Sequence, residues 1–321
     1  MVKASAPGKL MLFGEHAVVY ERPCIVTAVN HRMSVSINKR NDDKIIVNAP
    51  EVNVKDYAIS IDKLNGKYPR ETSFVLTAAK NFFDKYQCES GLDIETHSEF
   101  SSKFGFGSSS AVTASTIKAL SELFGARMSK KELFDISYKT VLDVQKVGSG
   151  FDVASAIYGG TLYFVKGGKT IEEMNIKEIP LIVGYTGVKA DTSTLVKKVS
   201  EKLETETEKI NNIFDKIGNI VIQAKEKIKQ SEWGETGALM NVNQKYLEML
   251  GVSSPELDML ISSSNKAGVY GSKLSGAGGG DCMIALASKE NVAAVSTAIE
   301  KAGGIIIPVE TNVEGVKIEK Q

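Results

Sequence analysis

The most informative segment of the chain is KFGFGSSSAV, at residues 103–112, where two glycines precede three serines and a run of small apolar residues. It lacks the third glycine of the dinucleotide-binding fingerprint and the Lys-Ser or Lys-Thr that closes a Walker A loop. A predicted strand precedes it and a predicted helix follows it. Because free N–H groups at a helix start bind anions, the stretch predicts a phosphate cradle. The alternative is an ordinary turn in which Ser108 or Ser109 caps the helix.

Length and composition limit the classes of protein to which the chain can belong. It has 321 residues, 42% of them hydrophobic, and 39 basic residues balance 39 acidic ones. This length predicts two domains, and zero net charge argues against nucleic acid or a membrane as a partner. Three scattered cysteines indicate neither a disulfide framework nor a zinc site. Since no apolar run suits a signal peptide or a membrane span, we expect a cytoplasmic protein that binds a small molecule.

Hydrophobic periodicity predicts strands and helices in both halves of the chain. A helical stripe at 195–230 indicates one long helix or two, and Ser254 followed by Pro255 marks a further helix start. The charged segment at 165–180 is the most linker-like, which predicts two α+β domains at 1–170 and 171–321. The other predicted strands are 32–37, 44–49, 92–98, 160–165, 179–186, 281–288 and 304–311, and the other predicted helices are 73–86, 111–125 and 129–145.

Two further glycine-rich stretches follow the first. GSGFDVASAIYGG, at 148–160, places Asp152 after a glycine turn and before a short helix of small residues. KLSGAGGGDCMIAL, at 273–286, places four glycines within five residues just before an apolar strand. Such a density of glycine indicates a backbone that lies close against another group. The alternatives are an N-cap role for Asp152 and a strained turn for the glycines.

The N-terminal stretch SAPGKLMLFGEHAVVY places Lys9 in a run typical of a buried strand, with Glu15 and His16 in the turn that follows. A lone lysine at a strand end usually extends its ammonium into solvent. Here it accompanies an anion cradle and an acidic residue after a glycine turn. Phosphoryl transfer needs such a set, namely donors for a triphosphate, oxygen ligands for magnesium, a cation, and a carboxylate near the attacking hydroxyl.

The three stretches resemble, in order, the three motifs of the GHMP kinases: APGKLMLFGEHAVVY the first, GFGSSSAV the second and KLSGAGGGDCMIAL the third. The resemblance implies an α+β fold of two domains, the first like domain 2 of ribosomal protein S5 and the second ferredoxin-like, with the active site between them. It also implies that the cofactors are ATP and Mg²⁺ and that the partner is a small-molecule alcohol. A homodimer is left open.

Residue roles carried over from the family follow the motif positions. The resemblance implies that Asp152 is the catalytic acid facing the substrate hydroxyl and that Lys9 is the cation beside the transferred phosphoryl. Ser109 would also be a magnesium ligand. The implied triphosphate cradle is Lys103, Gly105, Gly107, Ser108, Ser109 and Ser110, and the implied substrate residues are Glu15, His16, Thr186 and Gly278.

The motifs divide between two branches of the family. GEHAVVY and the segments 184–196 and 239–261 resemble mevalonate kinases, whereas KFGFG and GGGDC resemble phosphomevalonate kinases. Mevalonate kinases usually carry a magnesium-binding Glu eleven residues before the catalytic Asp, where this chain has Val141; the nearest upstream carboxylate is Asp143. We therefore predict mevalonate as the acceptor and keep phosphomevalonate as the alternative. A catalytically inactive relative is disfavoured, because Lys9, Ser109 and Asp152 are all present.

Overall fold

The computed structural model describes residues 1–320, apart from the side chain of Ser102. Groups of strands and groups of helices follow one another along this range. The strands are β1 (Val2–Phe13), β2 (Cys24–Arg40), β3 (Lys44–Ala49), β4 (Val54–Ser60), β5 (Gly91–Ser98), β6 (Thr161–Val165), β7 (Thr170–Glu173), β8 (Leu181–Tyr185), β9 (Gly271–Ser275), β10 (Cys282–Leu286), β11 (Ile305–Ile307) and β12 (Lys317–Ile318). The α-helices are α1 (Ser73–Tyr86), α2 (Ser108–Leu123), α3 (Lys130–Gln145), α4 (Phe151–Tyr158), α5 (Thr192–Thr205), α6 (Thr207–Lys229), α7 (Trp233–Leu250), α8 (Pro255–Lys266) and α9 (Val292–Lys301).

The first sheet has the strand order β12-β1-β2-β5-β3-β4, and β6 pairs with β2 and β7. Helix α2 packs directly on β1 and β2, and α1, α3 and α4 pack around α2. Apolar residues of these helices and strands form one continuous buried core. The phosphate-cradle stretch therefore lies where α2 begins, against the sheet.

The second sheet has the order β11-β8-β10-β9, and all its pairings are antiparallel. Its chain order is strand, helices, strand, strand, helix, strand, which is the ferredoxin-like split βαβ arrangement. This confirms the fold class that the sequence indicated. A second buried apolar cluster joins this sheet to α5, α6, α8 and α9.

Helix α7 protects the edge of the second sheet. Strand β9 is the outermost strand, so half of its backbone groups have no strand partner. Asn241 Oδ1 accepts a hydrogen bond from Ser272 N at 3.0 Å, and Gln244 Oε1 accepts one from Leu274 N at 3.0 Å. These side chains replace the missing neighbour strand, so the segment at 239–261 fixes the strand that leads into the third glycine loop.

Two predicted boundaries change in the structure. The linker-like segment contains β7, which pairs with β6 and so belongs to the first sheet. The two glutamates of β7, Glu172 and Glu173, form ion pairs with lysines, and such a charged edge strand has the composition of a linker. The stripe at 195–230 is two helices that part at Glu206, and its apolar members are buried as predicted. The division at residue 170 stays a proposal, and β7 and β12 both pair across it into the first sheet.

None of the helices within the described residues is long and apolar enough to cross a membrane.

Candidate active site

The first glycine loop leads directly into the uncapped start of α2. The N-cap is Gly107, with φ +78°, and among the described residues no side chain caps the helix. The expectation that Ser108 or Ser109 is a plain N-cap is therefore wrong, since both lie inside the first turn. Ser110 Oγ is buried and has no hydrogen-bond partner in the described part of the chain. The N–H groups of Ser108 and Ser109 and these hydroxyls are thus available to an anion, whereas Ser110 N donates to Gly107 O at 3.1 Å.

Lys9 is buried beside this loop. Its side chain does not extend into solvent, because its exposure is 8% and its Nζ donates to Gly105 O at 2.9 Å. Its backbone N donates to Phe106 O at 3.0 Å, which attaches β1 to the loop. Burial lowers the pKa of Lys9, and the carboxylates of Asp152 and Asp281 partly oppose that shift. The ammonium therefore lies between the cradle and two carboxylates.

Asp152 is the second residue of α4 and not its N-cap, which is Gly150 with φ +93°. That glycine provides the left-handed turn, so the carboxylate is not needed to end the loop. A Cβ built on Gly107 would lie 3.2 Å from Lys9 Cγ and 3.7 Å from Asp152 Cβ. The structure thus brings together the cradle, the cation and the carboxylate that the sequence predicted separately.

Glu15 lies in the turn after β1 and forms an ion pair with Lys273 of β9. Both side chains are fully inaccessible to solvent. Burial raises the pKa of Glu15, and Lys273 opposes the shift by charge and by hydrogen bonding. Lys273 Nζ also donates to Leu274 O at 2.6 Å. Within residues 1–320, Glu15 Oε2 has no hydrogen-bond partner, so one carboxylate oxygen is left for another group.

His16 connects the same turn to the third glycine loop. Its Nε2 lies 2.9 Å from Ala277 O, and because a carbonyl only accepts, Nε2 carries the proton. Burial lowers the pKa of His16, which keeps the ring neutral with Nδ1 as an acceptor. The residue has φ +58°, a conformation that side-chain-bearing residues adopt rarely and mostly at functional sites.

For three of the predicted site residues, the observed contacts do not test the predicted role in binding. Lys103 is exposed just before the cradle. The Thr186 hydroxyl donates to Asp281 O at 3.0 Å, a contact between two loops of the second domain. Gly278 has φ +82°, and a Cβ there would lie 2.0 Å from Val252 O, so close packing already requires glycine. Their parts in nucleotide or substrate binding stay predictions.

The candidate magnesium ligands upstream of Asp152 do not form a site. Val141 is buried in the first core. Asp143 accepts hydrogen bonds from Lys139 Nζ at 2.6 Å and from Asn81 Nδ2 at 2.9 Å, which hold it against α1. Among the described residues there is no group of three or more His, Cys, Asp or Glu that could hold a metal ion.

Sequence reasoning missed four residues at the junction of the domains: Lys273, Ser275, Lys189 and Asp281. Ser275 Oγ accepts from Met11 N at 3.1 Å and donates to Met11 O at 3.0 Å, which joins β9 to β1. Lys189 Nζ lies 3.4 Å from Asp281 Oδ1. A signal existed for Lys273, since a lysine within an otherwise buried strand needs a buried counter-charge. Its partner is 258 positions away and has no local signature.

Comparison with known proteins agrees with this geometry. Residues 73–160 match the family model of the GHMP kinase N-terminal domain, and residues 224–305 match that of the GHMP kinase C-terminal domain. The chain belongs to the GHMP kinase family. This GHMP kinase is 36% identical over 330 residues to the mevalonate kinase of Thermococcus sibiricus, covering 99% of this chain and 98% of that protein.

Solved structures extend the comparison. The mevalonate kinase of Methanococcus jannaschii is 28% identical to this GHMP kinase, with a TM-score of 0.83 over 96% of this chain and 97% of that one. The phosphomevalonate kinase of Streptococcus pneumoniae has the same TM-score of 0.83 at 19% identity, covering 97% of this chain and 100% of that one, which shows a common fold alone.

Replacing Lys273 with Met should destabilise this GHMP kinase by about 3–5 kcal/mol at neutral pH, because it leaves Glu15 buried without its counter-charge. Without Lys273 the pKa of Glu15 rises further above 4.5 in the folded state only. The deficit should therefore be small at low pH, where Glu15 is protonated, and should grow as pH rises through the folded pKa. Urea unfolding of variant and wild type at a series of pH values measures it.

The matched control is Lys245→Met, which removes an exposed lysine of α7 and should change stability little. A Lys273→Met deficit that is absent, or that does not grow with pH, would contradict a charged Glu15 paired in the interior.

Proposed function

We propose that this GHMP kinase transfers the γ-phosphoryl group of ATP to the 5-hydroxyl of mevalonate. The observation that carries the reaction type is the convergence of Lys9 and Asp152 on Gly107, at the uncapped start of α2. Full-length similarity to mevalonate kinases supports the acceptor. A cytoplasmic location is part of the same proposal.

The residues at the first loop fit the phosphates of a nucleoside triphosphate. The helix start is uncapped, its glycine N-cap leaves the approach to the backbone open, and the buried Ser110 hydroxyl has no partner in the described chain. Lys9 adds a cation at the same place. Such backbone and hydroxyl donors are the groups that bind phosphate oxygens. Ser109, in the same turn, is assigned to the magnesium ion.

The side chains of this site divide the work of the transfer. Asp152 accepts or orients the proton of the acceptor hydroxyl, and Lys9 stabilises the negative charge that develops on the transferred group. When bound, Mg·ATP supplies the phosphoryl group and a metal that neutralises charge on the phosphate oxygens. Because Lys9 and Asp152 are anchored on β1 and α4, they need little rearrangement for the reaction.

We assign the acceptor contacts to Glu15 and His16. Glu15 keeps one unpaired oxygen in the interior, and His16 keeps Nδ1 as an acceptor, so both could bind hydroxyl groups. Phosphomevalonate is the second candidate acceptor. It is favoured by the ammonium of Lys189, which is 46% exposed beside the site, and by Lys103 before the cradle, since both offer positive charge to a second phosphate.

Gly107→Ala should lower ATP affinity at least about tenfold, because a Cβ would crowd Lys9 at 3.2 Å and strain the cradle backbone. Gly125→Ala is the matched control at the other end of α2: its φ is +68° and its Cβ would meet nothing within 4 Å. Calorimetric titration with ATP should separate the two variants. Equal affinities would make the first loop an ordinary turn.

Asp152→Asn should lower kcat by a factor on the order of 10²–10⁴ while ATP binding and thermal stability stay close to wild type. Asn keeps the shape of the side chain but cannot take the proton. Asp143→Asn serves as the control, since that carboxylate is bound to Lys139 and Asn81. Steady-state kinetics measure both, and wild-type turnover in the Asp152 variant would remove it from the reaction.

The acceptor is tested by a coupled ADP-release assay with mevalonate and phosphomevalonate. We expect kcat/KM for mevalonate to be at least about tenfold higher, roughly 1.4 kcal/mol of discrimination. Lys103→Ala should then weaken ATP more than the acceptor. If phosphomevalonate reacts faster and Lys103→Ala raises its KM selectively, the family stands and the acceptor is the phosphorylated alcohol.

A further inference from the structure

Asp281 is held rigidly where the third glycine loop meets the phosphate cradle. Its backbone N donates to Val188 O at 2.8 Å, and its carbonyl accepts from Thr186 N at 2.9 Å. Its Oδ1 accepts from Ala190 N at 2.9 Å. The residue is 7% exposed and has φ +54°, a strained value for an aspartate. Two hydrogen bonds of the Asp281 backbone and one to its carboxylate therefore set the position of the side chain.

The other carboxylate oxygen of Asp281 faces the cradle. A Cβ built on Gly105 would lie 2.5 Å from Oδ2, so this oxygen lies against the backbone of the first cradle glycine. Within residues 1–320, and leaving aside the side chain of Ser102, Oδ2 accepts no hydrogen bond. Lys189 approaches the opposite oxygen, Oδ1, at 3.4 Å. An unpartnered carboxylate oxygen thus borders the place that we assign to the triphosphate.

A buried negative charge at this point would oppose the binding of a triphosphate unless a cation lies between the two. Lys9 donates to Gly105 O and is shared between Asp152 and Asp281, so its single positive charge does not balance both carboxylates and a triphosphate. A divalent cation would turn the repulsion into attraction by binding both anions. Proteins typically hold Mg²⁺ with one or two carboxylates together with phosphate oxygens and water.

We propose that Asp281 Oδ2 is a ligand of the magnesium ion that accompanies the bound nucleotide. The inference rests on the proposed kinase function. Asp281 would supply the metal-binding carboxylate that α3 lacks, since Val141 is buried in the core and Asp143 is bound to Lys139 and Asn81. Because Asp281 belongs to the second domain and the cradle to the first, the metal would also join the two domains across the nucleotide.

Asp281→Asn tests this, because Asn keeps the acceptor for Ala190 N and removes the charge. ATP affinity is measured by calorimetry in excess Mg²⁺ and again in EDTA. We expect Mg·ATP to bind at least about tenfold more weakly than to wild type, whereas metal-free ATP binds equally well or more tightly. The Mn²⁺ affinity of the ADP complex, measured by electron paramagnetic resonance, should fall in parallel. Asp281→Ser, checked for folding by circular dichroism, should behave in the same way.

Asp143→Asn is the matched control: it removes a carboxylate that Lys139 and Asn81 hold against α1, so the metal dependence of ATP binding should stay that of wild type. Equal weakening of ATP with and without metal would make Asp281 a loop anchor and overturn the proposal. Equal tightening, or no change, would overturn it as well. Wild-type protein that binds no ATP under either condition would instead refute the kinase function, and this inference with it.

Discussion

The buried ion pair between Glu15 and Lys273 is the interaction on which the site geometry depends. One partner follows β1 of the first sheet, the other lies on β9 of the second, and neither is accessible to solvent. Taking two charges out of water costs several kcal/mol per ion, and only close, well-oriented contact offsets that. The two sheets are therefore held in one relative position here. Ser275, two residues along β9, strengthens it by bonding both backbone groups of Met11.

This junction determines the electrostatics of Lys9. Because β9 docks beside β1, the lysine is largely removed from water, and its charge is opposed mainly by desolvation and supported by Asp152 and Asp281. One carboxylate comes from each domain. A cation and two carboxylates fixed in a water-poor place act more strongly on a transferred phosphoryl group than they would in solvent, and they need little reorganisation.

Strained backbone is found on both sides of the same junction. His16 of the first domain has φ +58° and Asp281 of the second has φ +54°. Each is held by long-range hydrogen bonds, His16 to Ala277 O and Asp281 to Thr186 and Val188. Residues in such conformations cost of order 1–3 kcal/mol each, so the surrounding contacts must hold them in place. Positive φ also occurs at other residues of the described chain, but these two lie in the loops from which the two domains build the site.

Local structure and family membership could be predicted from the amino-acid sequence. The stripe of α6 and the Ser-Pro start of α8 are local patterns, and both are present. The three glycine-rich stretches were likewise readable in order. It took the folded chain to show that Lys9 is buried, that Asp152 lies past its N-cap, and that Lys273 and Asp281 belong to the junction. The physical reason is distance along the chain: periodicity and capping act within a few residues, whereas burial and charge pairing depend on residues more than a hundred positions away.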